Sequence, residues 1–219
     1  MSLLDFFRQL SHLGGLPAAL LAGAAAATIV IVRDWRLALF AYAVQTTMLA
    51  MLLAQALPVE WALLQAIAGG LVAVMLYLSA RQLHASGQTG LSWEARWPQM
   101  ASTSGFRLLA VMLAGVAFLS VHESVALPRV SPLFRDAILW LMLLGLLGLA
   151  LHDEPFHAGL SLLTVLGGFS LLWFSLVQRR MLIGLADAGQ VLLGLAISYL
   201  VVSRGLAGQQ TKQPGEISE

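Results

Sequence analysis

The sequence predicts an all-α fold, a polytopic membrane helix bundle with about seven transmembrane helices. Of the 219 residues, 59% are hydrophobic and only 11% are charged, whereas soluble domains carry roughly 25% charged residues. The mean hydropathy of +0.84 also indicates a membrane protein. Seven apolar segments approach the ~20 residues that a bilayer-spanning helix needs. The chain is therefore predicted to be an integral membrane protein.

The predicted spans follow one another within a single domain, residues 1–205. They lie at Leu16–Val32, Leu37–Leu57, Trp61–Ala80, Leu108–Leu127, Asp136–Leu151, Ala158–Val177 and Leu182–Val202. The first is interpreted as an uncleaved span rather than a signal peptide, because its apolar run continues past any small-residue cleavage site to Arg33. Residues 206–219 are polar, contain Pro and Gly, and are predicted to form a flexible tail.

Small residues predict how the spans pack. The stretches LAGAAAAT, AIAGG and LGG place Gly and Ala on the first, third and sixth spans, where they let helix backbones approach closely. Pro58, Pro128 and Pro155 all fall in predicted connectors, so none indicates a broken span of the transporter kind.

Several functional classes have no support in the sequence. The formal net charge of +1 gives no nucleic-acid footprint, and the lack of cysteine excludes disulfides, thiolate catalysis and thiolate metal sites. The sequence also has no Gly-rich phosphate loop, nucleophile elbow or helical His-Glu-x-x-His pair. No catalytic residue is predicted. No cofactor is expected either, because cysteines and paired intramembrane histidines for haem are missing.

The distribution of Arg and Lys predicts orientation. With seven spans, five of these residues fall on the N-terminal side of the membrane and seven on the other side. The bias favours a multi-pass protein of the cell (inner) membrane with its N-terminus outside and its C-terminus cytoplasmic. The residues on the cytoplasmic side would be Arg33, Arg36, Arg81, Arg96, Arg107, Arg204 and Lys212.

One acid lies within the last span. Asp187 follows Arg180 by seven residues, roughly 10 Å along a helix, which places it in the outer half of the membrane. Gln190 lies three residues later on nearly the same side of the helix. Because an intramembrane acid is costly, it usually faces a bundle interior or a water-filled cavity, so function is the first hypothesis. The alternative is a shallow anchor paired with Arg179 or Arg180.

Other polar residues fall at the same predicted depth. Gln55, Gln65, His122 and Glu123 all lie toward the outer face, which predicts an outer polar cluster with Asp187. A separate group occurs in LHDEPFH, residues 151–157, where His152, Asp153, Glu154 and His157 are all metal-ligand types. Pro155 argues against a metal site there, because it interrupts the helical face that would bring the imidazoles together.

A family resemblance adds to this interpretation. IVRDWRLALFAYAVQTTMLAMLLAQAL followed by ALLQAIAGGLVAVMLYLSAR resembles the first three helices of the NuoK-like subunits of respiratory complex I and of the related hydrogenase-4 component E family. LPRVSPLFRDAILWLMLLGLLGLALHDEP and IGLADAGQVLLGLAISYLVVSR resemble the second half of component E. The resemblance implies a subunit that sits beside large antiporter-like subunits in a proton- or cation-translocating membrane arm.

The sequence departs from the family at the carboxylates that the resemblance implies. Gln45 stands where a second-helix glutamate is expected, Gly69 or Gly70 replaces the one in the third helix, and apolar LLTVLGGF replaces a Glu-Asn-Gly stretch. Only Asp187 matches an acid of the last helix. Glutamine cannot take up and release a proton near neutral pH, so a complete relay through this chain alone is not expected.

Three functional hypotheses remain. In the first, the chain is a non-catalytic subunit of a complex I-related or hydrogenase-related assembly that moves protons or cations, and it mainly scaffolds antiporter-like subunits. The ion-pathway candidates are then Asp187, Gln190, Gln45, Glu123 and His122. The second is a stand-alone carrier of a small solute or ion, and the third is a structural assembly protein. In each case the lipid bilayer is a partner and nucleic acid is not.

Overall fold

The computed structural model describes residues 15–85, 104–125, 130–176 and 180–210, with all their side chains except those at 83–85, 180–183 and 204–210. Within these ranges the chain forms seven helices and no strand, which confirms the predicted all-α fold. The helices are α1 Leu16–Ile31, α2 Trp35–Ala56, α3 Val59–Ala85, α4 Ser104–Val121, α5 Pro132–Leu151, α6 Pro155–Leu176 and α7 Arg180–Gln210.

Six of the helices, α2 to α7, are long and apolar enough to cross a membrane. The remaining helix, α1, has 16 residues and extends about 24 Å, slightly less than the hydrocarbon core of a bilayer. The protein is therefore a multi-pass helical membrane protein whose outer surface contacts lipid. The N-terminus to residue 14 lies outside the described residues.

Local sequence explains where several helices begin. Asp34 caps α2 by accepting a hydrogen bond from the Arg36 backbone N–H at 3.0 Å. The Ser131 hydroxyl oxygen accepts a hydrogen bond from the Phe134 backbone N–H at 3.5 Å. Pro132 follows as the first residue of α5. Pro155 likewise opens α6. A proline at the first helical position costs little, because the missing N–H would have had no partner within the helix.

The bundle is arranged around α2 and α6. Helix α2 packs on α1, α3 and α6, whereas α6 packs on α5, α7 and α2. Helices α3 and α7 pack together on one side, and α4 lies at the periphery against α5 and α1. One apolar core lies among α1, α2, α5 and α6, and a second extends between α1, α2, α3, α6 and α7.

Close approaches between helices occur at small residues, as predicted for the first, third and sixth spans. A Cβ on Gly69 of α3 would lie 2.8 Å from Thr46 Cβ, and one on Gly167 of α6 would lie 2.8 Å from Leu49 Cδ1. Gly23 of α1 similarly faces the indole of Trp140. Helix α5, for which the sequence predicted no such packing, makes the same kind of contact through Gly145 and Gly148 against α6.

The short connectors define two faces of the bundle. The N-terminal face carries the start of α1 and the α2–α3 connector at residues 57–58. The opposite face carries the α1–α2 connector, residues 32–34, and the α5–α6 connector, residues 152–154. Connectors this short join antiparallel helices, so the helices that they connect alternate in direction.

The helix ends differ from the predicted spans at several positions, and those of α4 and α7 differ most. Helix α4 begins at Ser104 rather than Leu108 and ends at Val121, so Arg107 lies inside the helix and is buried. The physical reason is that the Arg107 guanidinium has a partner inside the bundle and need not lie in an aqueous connector. Helix α7 continues to Gln210, so residues 206–210 of the predicted tail are helical, while 211–219 lie outside the described residues.

Candidate functional site

The interface of α2, α3 and α7 holds a buried hydrogen-bonded cluster. Gln65 Nε2 donates to Gln190 Oε1 at 2.8 Å, and Gln190 Nε2 donates to the Tyr42 hydroxyl oxygen at 3.2 Å. All three side chains are buried. Buried amides need hydrogen-bond partners, since leaving a buried donor or acceptor unsatisfied costs about 1–3 kcal/mol. These bonds therefore fix the facing sides of three helices.

Asp187 lies three residues before Gln190 on α7 and is 4% exposed. Among the described residues, neither of its carboxylate oxygens has a hydrogen-bond partner, and Gln65 Oε1 has none either. The predicted pairing with Arg179 or Arg180 falls outside the described side chains. The structure thus places Asp187 within the bundle rather than on its lipid-facing surface.

Gln45 is also buried, near the middle of α2. The single hydroxyl proton of Thr164 of α6 is shared between Gln45 Oε1 at 3.2 Å and the Leu160 carbonyl oxygen at 2.9 Å. Gln45 follows Tyr42 by three residues, so both lie on one side of α2. We call the set Asp187, Gln190, Gln65, Tyr42, Gln45 and Thr164 the polar seam.

The predicted outer cluster is only partly formed. Gln65 joins the polar seam, but Gln55 is exposed at the end of α2. His122 is half-buried, its Nδ1 lies 3.0 Å from the Leu119 carbonyl, and its ring stacks on Phe118. Glu123 is exposed in the turn after α4. Helix α4 packs against α1 and α5, whereas α7 packs against α3 and α6, so the bundle separates His122 and Glu123 from Asp187.

A second polar cluster lies at the opposite face. Arg107 NH1 is 2.9 Å from His152 Nε2, and His152 Nδ1 is 2.9 Å from the Gly148 carbonyl. The rings of His152 and His157 stack with centroids 5.1 Å apart. His157 Nδ1 is 3.0 Å from Glu154 Oε2. Arg107, His152 and His157 are all buried.

Burial lowers the pKa of His152 to about 4, an effect that the nearby Arg107 charge reinforces and the bond to the Gly148 carbonyl opposes. His152 is therefore neutral near pH 7. Its Nδ1 carries the proton that it donates to Gly148, and its Nε2 accepts from Arg107.

This geometry corrects the argument from Pro155. Because Pro155 opens α6 instead of interrupting it, the tight connector brings both imidazoles together. Ring stacking is nevertheless different from ligation. In the described part of the chain, no group of three or more His, Asp or Glu residues has metal-binding geometry.

Sequence reasoning missed four of the residues that these clusters use. Tyr42 carried a usable signal, since it lies three residues from Gln45. Thr164 was placed within an apolar stretch, Arg107 was treated as a connector cation, and His157 was considered only as a metal ligand. Their partners lie on other helices, 119 residues away in the case of Thr164 and Gln45.

Comparison with known proteins adds no family to this description: the chain matches no protein-family model, no curated protein and no solved structure.

Proposed function

We propose that this chain is a small membrane subunit of an assembly that moves protons or cations, resembling the NuoK-like and hydrogenase-4 component E subunits. It scaffolds larger antiporter-like subunits in the cell membrane and contributes the polar seam to their ion path. The observation that carries the proposal is Asp187, a buried acid whose two oxygens have no hydrogen-bond partner among the described residues.

The cost of such an acid supports a functional role. A charged side chain in a bilayer costs several kcal/mol, so an acid that packs without partners gives no advantage to a purely structural helix. A carboxyl group that binds and releases a proton or cation does need free oxygens. Gln190 lies one helical turn from Asp187, and Gln65 lies across the interface on α3. Both amides can hydrogen-bond water that solvates an ion at Asp187.

The remaining seam residues limit what the chain does alone. Gln45 holds Thr164 through an amide and a hydroxyl, and neither group exchanges a proton near neutral pH. The resemblance implies a third-helix carboxylate at Gly69 or Gly70, and neither glycine supplies one. A Cβ on Gly69 would lie 2.8 Å from Thr46 Cβ, whereas a Cβ on Gly70 would meet nothing within 4 Å. Asp187 is the carboxylate of the seam, so partner subunits supply the rest of the relay.

Affinity purification tests the membership of an assembly. The tagged protein is extracted from its native membrane in a gentle detergent, and the proteins that co-purify are identified by mass spectrometry. We expect large antiporter-like subunits in stoichiometric amounts. Recovery of the folded protein alone in good yield would contradict the proposed assembly.

Replacement of the acid tests the ion path. In proteoliposomes that contain the purified assembly, Asp187→Asn should lower the rate of ion movement by about tenfold or more, because the isosteric amide cannot ionise. The amount of assembled complex should not change. The control is Glu60→Gln, which removes an exposed acid at the same face of the bundle and should leave the rate unchanged. Normal ion movement in Asp187→Asn would remove this residue from the path.

A further inference from the structure

His157 is a further buried titratable side chain, and it lies at the face opposite Asp187. The residue is 2% exposed and lies in the first turn of α6. Nδ1 faces Glu154 Oε2 at 3.0 Å, so this nitrogen carries a proton. Nε2 has no hydrogen-bond partner among the described residues. In the neutral ring, Nε2 is a lone pair that can accept a proton.

His157 differs from His152 in the partners of its ring nitrogens and in the charged group that faces it. Both nitrogens of His152 are occupied, by Gly148 and by Arg107. Arg107, near Arg33, contributes positive charge from α4 and the α1–α2 connector, and Glu154 contributes negative charge beside it. Glu154 directly faces His157, and its side chain is 65% exposed. A carboxylate in this position connects the buried ring to water and balances the charge of an imidazolium.

Buried polar residues lie between His157 and the polar seam along one side of α6. Ser161 follows it by one helical turn and Thr164 by two, and all three are buried. Thr164 then donates to Gln45 of α2. Three residues before Gln45, Tyr42 accepts from Gln190, which lies one turn from Asp187. Hydrogen bonds join some of these groups directly, and water would bridge the others.

We infer that His157, held by Glu154, is the proton-exchange group through which the polar seam reaches water at the face opposite Asp187. This inference rests on the proposed function. In the direction from the seam to water, a proton from the seam binds at Nε2 and forms an imidazolium whose charge Glu154 balances. Nδ1 then releases its own proton through the Glu154 carboxylate to water, and the ring proton left on Nε2 returns to Nδ1 before the next cycle. Movement from water to the seam reverses these steps.

The first test is His157→Asn in the assembly in proteoliposomes, with proton movement followed by a pH-sensitive dye under an imposed membrane potential. The asparagine amide can replace Nδ1–H as a donor to Glu154 but does not titrate. We expect the rate to fall by about tenfold or more, with normal assembly. His122→Asn is the matched control, since the structure places His122 outside the polar seam, and its rate should equal that of the wild type.

The second test is Glu154→Gln, which alters an exposed side chain and keeps an acceptor for Nδ1–H. The glutamine amide cannot carry the Nδ1 proton on to water, so the rate should fall by about tenfold or more. Asp153→Asn, which removes the adjacent exposed acid, should leave the rate unchanged. This measurement also decides the question if His157→Asn fails to assemble.

The outcomes separate the two proposals. If Asp187→Asn stops proton movement while both His157→Asn and Glu154→Gln keep the wild-type rate, the inference about His157 is wrong and the proposed function stands. If all three variants move protons like the wild type, the proposed function is wrong and the inference fails with it. Loss of proton movement in Asp187→Asn, His157→Asn and Glu154→Gln supports both.

Discussion

His152 illustrates at the scale of a residue how burial selects a protonation state. Its ring lies between the Arg107 guanidinium and the Gly148 carbonyl, and each nitrogen has one partner. Protonation would place a donor at Nε2 against another donor, Arg107 NH1. Desolvation and this contact between two donors both disfavour the imidazolium, which agrees with the lowered pKa of His152.

This lowered pKa predicts acid sensitivity. The pKa is 6.5 in the unfolded chain and about 4 in the folded protein, so between these values the unfolded state binds more protons. Stability is therefore complete above pH 6.5 and falls as the pH decreases toward 4, by about 3 kcal/mol. Thermal unfolding of the purified protein in detergent at a series of pH values measures the loss.

His152→Gln provides the comparison for this prediction. The glutamine amide can donate to the Gly148 carbonyl and accept from Arg107 without titrating, so most of the loss between pH 6.5 and 4 should disappear. An equal loss in wild type and variant would show that other groups cause the acid sensitivity.

The candidate site was partly predictable at this scale. Asp187, Gln190 and Gln45 are conspicuous because each is a polar side chain within an apolar run, where polar groups are costly. Thr164 has no such signal, since a threonine in a span can satisfy its hydroxyl on its own helix, as Thr164 does with Leu160. Its second role, as a donor to Gln45, depends on the neighbouring helix.

At the scale of the helices, glycine positions determine which surfaces meet. A Cβ on Gly145 of α5 would lie 2.8 Å from the Val165 backbone N and 3.0 Å from the Ser161 carbonyl oxygen of α6. Because these neighbours are backbone atoms, they cannot move without displacing the helix. Membrane helices without a strong hydrophobic driving force between them depend on such close packing.

We expect Gly145→Ala to destabilise the protein by about 1–3 kcal/mol, the usual cost of overpacking. Gly70→Ala is the matched control, because a Cβ on Gly70 of α3 would meet nothing within 4 Å. It should be neutral or slightly stabilising through higher helix propensity. Thermal unfolding of both variants in the same detergent makes the comparison, and equal stability would contradict the proposed close contact between α5 and α6.

Helix existence was predictable from sequence, and helix ends were less so. The spans follow from runs of apolar residues, a local property. The start of α4 was placed too late because Arg107 resembles a connector residue until His152, from another helix, satisfies its guanidinium. Pro155 was wrongly expected to separate the histidines, because its position at the start of α6 depends on the preceding connector.

For the whole molecule, the excess of Arg and Lys on one side predicts that the N-terminal face lies outside. The chain has no cysteine, so single substitutions report the orientation directly. In intact spheroplasts, a membrane-impermeant maleimide should label Glu60→Cys at the N-terminal face. Asp153→Cys at the opposite face should react only after permeabilisation. Both positions are exposed, and the reverse labelling pattern would place the N-terminal face in the cytoplasm.

By itself, the sequence determined the membrane class, the succession of helices and the one acid in the last span, because length, hydropathy and a misplaced charge are properties of short segments. Only the tertiary structure decided which sides of the helices meet. The spans are apolar nearly all round, so they carry little periodic signal for an inward face. Gln65 and Gln190 are 125 residues apart, and only the packing of α3 against α7 brings them together.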